Sequence, residues 1–204
     1  MKILVEHRKH LKQINTLLLQ LSADIIKAGN SAAYDFDFYI LSAINRTISL
    51  NKAFSTLIKD KNSLTAISIV RLQLDNAIRL HAVKVASDPQ DFLDHFFDEK
   101  PINQYKDGKQ NFSDKFLVTK LDEEVPGALA LYEHLCNFIH FSNTHFQAAK
   151  TKSTNPDAMF TFVVGETDVL NENEKNEYYD RMIRISNTIA KKGTEWVLQK
   201  KLLS

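Results

Sequence analysis

Arg71, Asp75 and Arg79 stand four residues apart in the apolar stretch SIVRLQLDNAIRLHAV. In a helix this spacing brings all three onto nearly one face. A guanidinium is a planar, permanently charged fork that holds a carboxylate or phosphate in fixed geometry. Lysine supplies most of the 26 Lys+Arg, yet two of the few arginines sit here. Two uses fit the pattern. Arg71 and Arg79 grip an anionic ligand between helices, or Arg71 pairs with Asp75 and fixes helix register, an i,i+4 contact worth ~0.3–0.5 kcal/mol when exposed.

A second constellation lies in LYEHLCNFIHFSNTHF. At about 100° per residue, Glu133, Cys136, Asn137, His140, Asn143 and Thr144 share one polar face of a helix. His140, flanked by two amides and a carboxylate, has the chemistry to take or give a proton near neutral pH. The alternative is a core histidine bonded to an asparagine or to the facing helix. Metal chemistry finds no pattern: Glu-x-x-His is missing, no two histidines are four apart, and Cys136 with His140 makes two ligands rather than a site. Gly-rich phosphate loops and Gly-x-Ser-x-Gly are also missing. No metal and no cofactor are expected.

The elements that must position these side chains read as helices. Apolar residues at three- and four-residue spacing over 2–28 predict one long amphipathic helix, stopped by Gly29-Asn30-Ser31. A second spans 34–60 with apolar residues on two sides, which predicts a central position. Asn62-Ser63 caps a third over 64–86, and Asp88-Pro89 starts a shorter one. Residues 100–112 read as loop, and 113–120 as a short helix. Pro126 opens a long helix to about Lys150. Met159–Val164 (MFTFVV) has strand chemistry and must pair with another segment, here or in a second copy. Asn171 and Glu174, in capping-box spacing, open a final helix to about Leu202.

Composition agrees. Five Gly and four Pro in 204 residues are too few for collagen-like, low-complexity or turn-rich β architectures, and 44% hydrophobic residues are too many for disorder. The expected fold is all-α, a single domain over 1–204: a bundle of about five long helices with short helices and one minor extended segment near 159–164. A net charge of +1 creates no global field for nucleic acid or membrane. The single cysteine, Cys136, fits a reducing compartment. The N-terminal MKILVEHRKHLK meets charge too early for a signal peptide, and no run is long and apolar enough to span a membrane. A cytoplasmic protein without membrane contact is expected.

Arg71-x-x-x-Asp75-x-x-x-Arg79 on one helix, then Tyr132-x-x-Leu135 and His140 with Ser142 and Asn143 on a later one, then a β-like segment and a long final helix, is a pattern that resembles a group of prokaryotic helical proteins similar to the HEPN (higher eukaryote and prokaryote nucleotide-binding) superfamily. The resemblance implies an α-helical bundle, often dimeric, with metal-independent RNase activity in many members and toxin–antitoxin or phage-defence roles. It further implies His140 as general acid/base and an arginine on the scissile phosphate, with RNA or a nucleotide and an antitoxin-like protein as partners. In that pattern the arginine precedes the histidine by four to six intervening residues. Here those positions are Leu135, His134 and Glu133, so the cation would come from the facing helix, from Arg71 or Arg79.

Three functions follow. The first expectation is a non-catalytic interaction or structural protein, a homodimer joined by MFTFVV or the long terminal helices, with Arg71, Asp75 and His140 as one buried polar network. The second is RNA-directed chemistry with catalytic His140 and Arg71. The third is a pocket for a small anion. Asp75, Arg79, Tyr132, Asn137 and Asn143 complete the binding candidates.

Overall fold

Leu11, Ile14, Leu18, Leu21 and Ile25 recur at three- and four-residue spacing, and all five are buried. They form the inner stripe of α1 (Lys2–Lys27). A computed structural model of the chain describes residues 2–151, 159–165 and 167–202. The other helices are α2 (Asp35–Lys59), α3 (Ser63–Val85), α4 (Pro89–Phe97), α5 (Asp114–Glu124), α6 (Ala128–Ile139), α7 (Asn143–Ala149) and α8 (Glu172–Leu202). The fold is all-α, as expected, with two very short antiparallel strand pairs.

Long-range hydrogen bonds give the helix directions. His7 meets Asp180 and Ile25 meets Lys200, so α1 and α8 run parallel. Tyr39 bonds the carbonyl of Arg79 and Asn76 that of Ala43, so α2 and α3 run antiparallel. α3 is parallel to α8 (Gln73 to Ser186, His81 to Lys192) and antiparallel to α6 (Ser68 to Phe138). The buried helix is α3, which packs on α2, α4, α5, α6 and α8. α2 was expected at the centre. It buries one stripe, including Ile40, Ile44, Phe54 and Ile58, while Phe38 on its other side is exposed.

Two close approaches set the spacing of the bundle. Gly193 lets α8 lie against α1, for a Cβ there would stand 2.6 Å from Leu21 Cδ2. Gly29, at φ +62°, turns the chain left-handed after α1 beneath the stem of Lys200. Lys200 itself is fully buried. Its ammonium donates to Asp37 Oδ2 at 2.7 Å and to the Ile25 carbonyl at 2.9 Å. Asp37 also accepts from Trp196 Nε1 at 2.7 Å and from the Tyr34 amide at 2.9 Å, closing the start of α2. Three helix ends are locked around one ion pair.

Several caps follow the sequence. Asn62 accepts from the Thr65 amide, Asp88 from those of Gln90 and Asp91, and Asn171 from those of Asn173 and Glu174. The expected loop over 100–112 contains a 3₁₀ turn and the tight pair β1 (Lys106–Asp107) and β2 (Gln110–Asn111). Tyr105 and Phe112 from this loop are buried against Phe92 of α4. MFTFVV pairs within the chain: β4 (Thr161–Phe162) lies antiparallel to β3 (Lys150–Thr151).

The expected helix from Pro126 to Lys150 is instead two helices. His140 is extended (φ −96°, ψ 142°) and closes α6. Ser142 then caps α7: its hydroxyl accepts from the Thr144 amide and donates to the Asn137 carbonyl, while His145 Nδ1 takes the Ser142 amide. Side chains that satisfy the free amides of a new helix compete with continuing the old one. Four long helices therefore stand where five were expected.

Candidate functional site

Asp75 is the centre of the first polar cluster. Arg79 Nε lies 3.3 Å from its carboxylate, and Arg71 Nη1 and Arg46 Nη2 each lie at 3.9 Å. Arg79 also pairs with Asp114 at the start of α5. The Arg71 guanidinium, 9% exposed as a residue, stacks 4.2 Å from the ring centre of Tyr132 on α6. Burial, then the Asp114 carboxylate, raise the Tyr132 phenol above its ordinary value. The stripe of α3 thus ties down α2, α5 and α6. It is a brace between helices, and three of the sequence candidates (Arg71, Asp75, Arg79) meet Tyr132 in it.

His140 stands elsewhere. Tyr132 and His140 are eight residues apart, about 12 Å along a helix. The imidazole is exposed beyond the end of α6, and among the described residues no hydrogen bond or ion pair joins it to Arg71 or Asp75. The expected network of Arg71, Asp75 and His140 is therefore divided. Asn137 and Asn143 are exposed as well, the former lending its carbonyl to Ser142 and the latter opening α7. The break at His140 takes apart the single polar face drawn for an unbroken helix. Glu133 turns to Lys115 of α5.

A cavity of about 400 Å³ lies between α2, α3 and α4, with Arg46, Asp75 and Arg79 in its wall and Tyr39 and Phe96 as apolar lining. Arg71 is not part of that wall. The two arginines there are answered by Asp75 and Asp114, so the wall holds little free positive charge.

A second cluster joins the far end of α3 to α5 and α8. His81 is buried, and its Nδ1 lies 2.9 Å from Lys192 Nζ. Lys192 also donates to Glu124 Oε2 at 3.2 Å, and Lys84 pairs with the other oxygen of that carboxylate. Burial, aided by the Lys192 charge, lowers His81 to about 4, so the ring is neutral. Burial alone would raise Glu124, but Lys84 and Lys192 outweigh it and hold the carboxyl at about 2. Burial lowers Lys192, against the pull of Glu124. Beside this cluster opens a cavity of about 750 Å³, lined by Tyr34, Phe36, Leu80, Leu93, Lys192 and Trp196 among others. Sequence reasoning missed the cluster because its contacts join residues 40, 68 and 111 apart. The available signal was a histidine two residues beyond Arg79 in a largely buried helix.

Among the described residues no group of three or more His, Cys, Asp or Glu side chains is placed to hold a metal ion. No described helix is long and apolar enough to cross a membrane. Compared with known proteins, the chain matches no family model, no curated protein and no solved structure.

Proposed function

We propose that the protein is a non-catalytic helical interaction module that pairs with a second copy of itself through residues 139–146 and 159–164. One observation carries this reading: seven apolar side chains of these stretches are exposed. Phe141 and Met159 are 95% exposed and Val164 88%. Ile139, Phe146, Phe160 and Phe162 are exposed as well. Phe160, Phe162 and Val164 alternate along β4 and its flanks, so they share one face of the strand. The rings of Phe160 and Phe162 lie 6.1 and 5.7 Å from that of Phe146 on α7, which makes the surface continuous.

A fully exposed aromatic side chain offers ~150–250 Å², so these seven side chains present on the order of 800 Å². That matches the roughly 800 Å² each partner buries in a standard interface and exceeds the apolar patch of most monomers. Self-pairing suits a mainly apolar surface, and Lys150 beside it is drawn over the Phe160 ring, 4.8 Å from its centre. The Arg71–Tyr132 stack and the Ser68 hydroxyl on the Phe138 carbonyl, at 2.9 Å, hold both halves of α6 on α3. They keep the surface at a fixed angle to the bundle.

Sedimentation analysis tests this reading. The wild-type chain is expected to dimerise at micromolar concentration. Phe141→Asp combined with Phe162→Asp should leave a monomer with the helical circular dichroism and melting temperature of the wild-type monomer. A wild-type chain that stays monomeric at hundreds of micromolar would overturn it.

A further inference from the structure

We propose that Lys192 is a nucleophilic amine that condenses with a small aromatic aldehyde bound in the cavity between α2, α3, α4 and α8. The cavity, about 750 Å³, has the size of a small-molecule site. Its wall is mostly apolar and aromatic. Trp196 meets Phe36 edge-to-face at 4.8 Å and Tyr34 at 6.1 Å, so three aromatic rings stand together in the wall. Its carboxylates are occupied: Asp88 caps α4, Asp35 takes the Gln90 amide, and Glu195 faces Lys191 at 3.7 Å. A neutral guest suits such a wall better than a charged one.

Lys192 differs from the other lysines of this surface. Its side chain is 9% exposed, against 63% for Lys84 and 77% for Lys191. An ammonium has only donors. The His81 nitrogen that faces it at 2.9 Å is therefore the unprotonated one, aimed at the proton the amine must lose. A hydrogen bond to the Lys120 backbone holds the ring from its other side. The charged groups around the amine are Lys84 of α3, Glu124 of α5 and Glu195 of α8. Burial and Lys84 favour the free amine, while Glu124 and Glu195 favour the ammonium, and burial is the largest of these. A desolvated lysine next to another cation is the usual setting of an amine nucleophile.

The step balances within these groups. His81 Nδ1 takes one proton from the Lys192 ammonium. The freed nitrogen pair forms a bond to the aldehyde carbon as the C=O π pair moves to oxygen, and His81 returns the proton to that oxygen. The resulting carbinolamine nitrogen still carries two protons; it passes one to the hydroxyl, water leaves, and the product is the protonated imine. The sum is ammonium plus aldehyde to protonated imine plus water, with no oxidant or reductant.

The test uses the full chain, benzaldehyde and cyanoborohydride, which reduces an imine to a stable benzylamine readable by peptide mass mapping. At pH 7 Lys192 should be labelled several-fold faster than Lys191, because the cavity holds the aldehyde beside its amine. Toluene, which fits the cavity but has no carbonyl, should slow labelling of Lys192 and leave Lys191 unchanged. Glu124→Gln should speed labelling of Lys192 by removing the charge that retains its proton, and His81→Gln should slow it with the circular dichroism unchanged. Equal rates at Lys192 and Lys191 in the wild-type chain, or indifference of Lys192 to toluene, would each overturn the assignment. These outcomes are independent of whether the protein dimerises.

Discussion

The two ends of α6 belong to different physical regimes. At its start, Tyr132 lies under the Arg71 guanidinium and Leu135 is fully buried, with α3 and α5 closing the space. At its end, His140 and Phe141 reach solvent, and Phe141 is 95% exposed. Fewer than ten residues separate a braced interior from an open apolar surface. The difference teaches where to look for function: polar groups that satisfy each other inside a bundle hold it together, whereas a cluster of apolar groups left in water is the surface on which to test for association. Substitutions on the braced side should therefore act on stability, and those on the open side on association.

The sharpest break of the braced side is at Lys200. Lys200→Met leaves the Asp37 carboxylate buried with two of its three partners, a change that costs about 3–5 kcal/mol. At roughly 2–4 °C per kcal/mol for a chain of this size, the melting temperature should fall by about 6–20 °C. Adding Asp37→Asn should recover part of the loss, because the uncompensated charge is then gone. A melting temperature within 2 °C of wild type in the single variant would mean that the pair is not the lock described above.

Acid should come next. His81 takes up a proton near 6.5 when unfolded and near 4 when folded. The unfolded chain therefore binds more protons as pH falls from 6.5, and stability declines down to about pH 4, where both states are protonated. Unscreened, that difference amounts to ~3 kcal/mol, and partial exposure of the cluster reduces it to about 1–2 kcal/mol. Glu124, held at about 2, adds a loss of the same sign below its ordinary 4.5. Urea unfolding at pH 7, 5.5 and 4 measures the slope, and His81→Gln should flatten its upper part.

What the sequence made legible was local. The stripe of α1, the Asn62, Asp88 and Asn171 caps and the α3 face bearing Arg71, Asp75 and Arg79 all depend on contacts within four residues, which spacing encodes directly. Two kinds of feature stayed hidden. One is pairing across the chain: Asp37 with Lys200 and His81 with Lys192 depend on α8 returning beside α2 and α3, which no local pattern specifies. The other is competition between two local signals. Residues 126–150 have helical periodicity throughout, but Ser142 with His145 also spells a cap, and the cap prevails. That outcome separated His140 from the candidates with which it had been grouped. Tyr132 kept its place near Arg71 because it lies before the break.

Arg71→Ala and His140→Ala set the two ends of α6 against each other. Removing the Arg71 guanidinium takes away the stack on Tyr132 and one of the three cations around Asp75, at about 1–2 kcal/mol. The melting temperature should fall by roughly 2–8 °C. His140→Ala removes an exposed ring and should stay within about 0.5 kcal/mol of wild type. Equal losses in both variants would restore the undivided network and break the contrast between the two ends.

The smallest effect on stability carries the most weight for function. Phe141 is nearly all in solvent, so Phe141→Asp removes no packing from the monomer and should shift monomer stability by less than about 0.5 kcal/mol. In a dimer the same substitution buries a carboxylate in an apolar interface, which a non-covalent pair of this size does not tolerate. Melting curves recorded at two protein concentrations tell these states apart. A self-associating chain melts higher as concentration rises, because assembly draws on the folded state alone. The wild-type melting temperature should therefore rise with concentration while that of Phe141→Asp stays fixed, and the two curves should converge on dilution. If both variants show the same concentration dependence, Phe141 is not in the interface, and the apolar surface at the end of α6 loses its claim on a second copy.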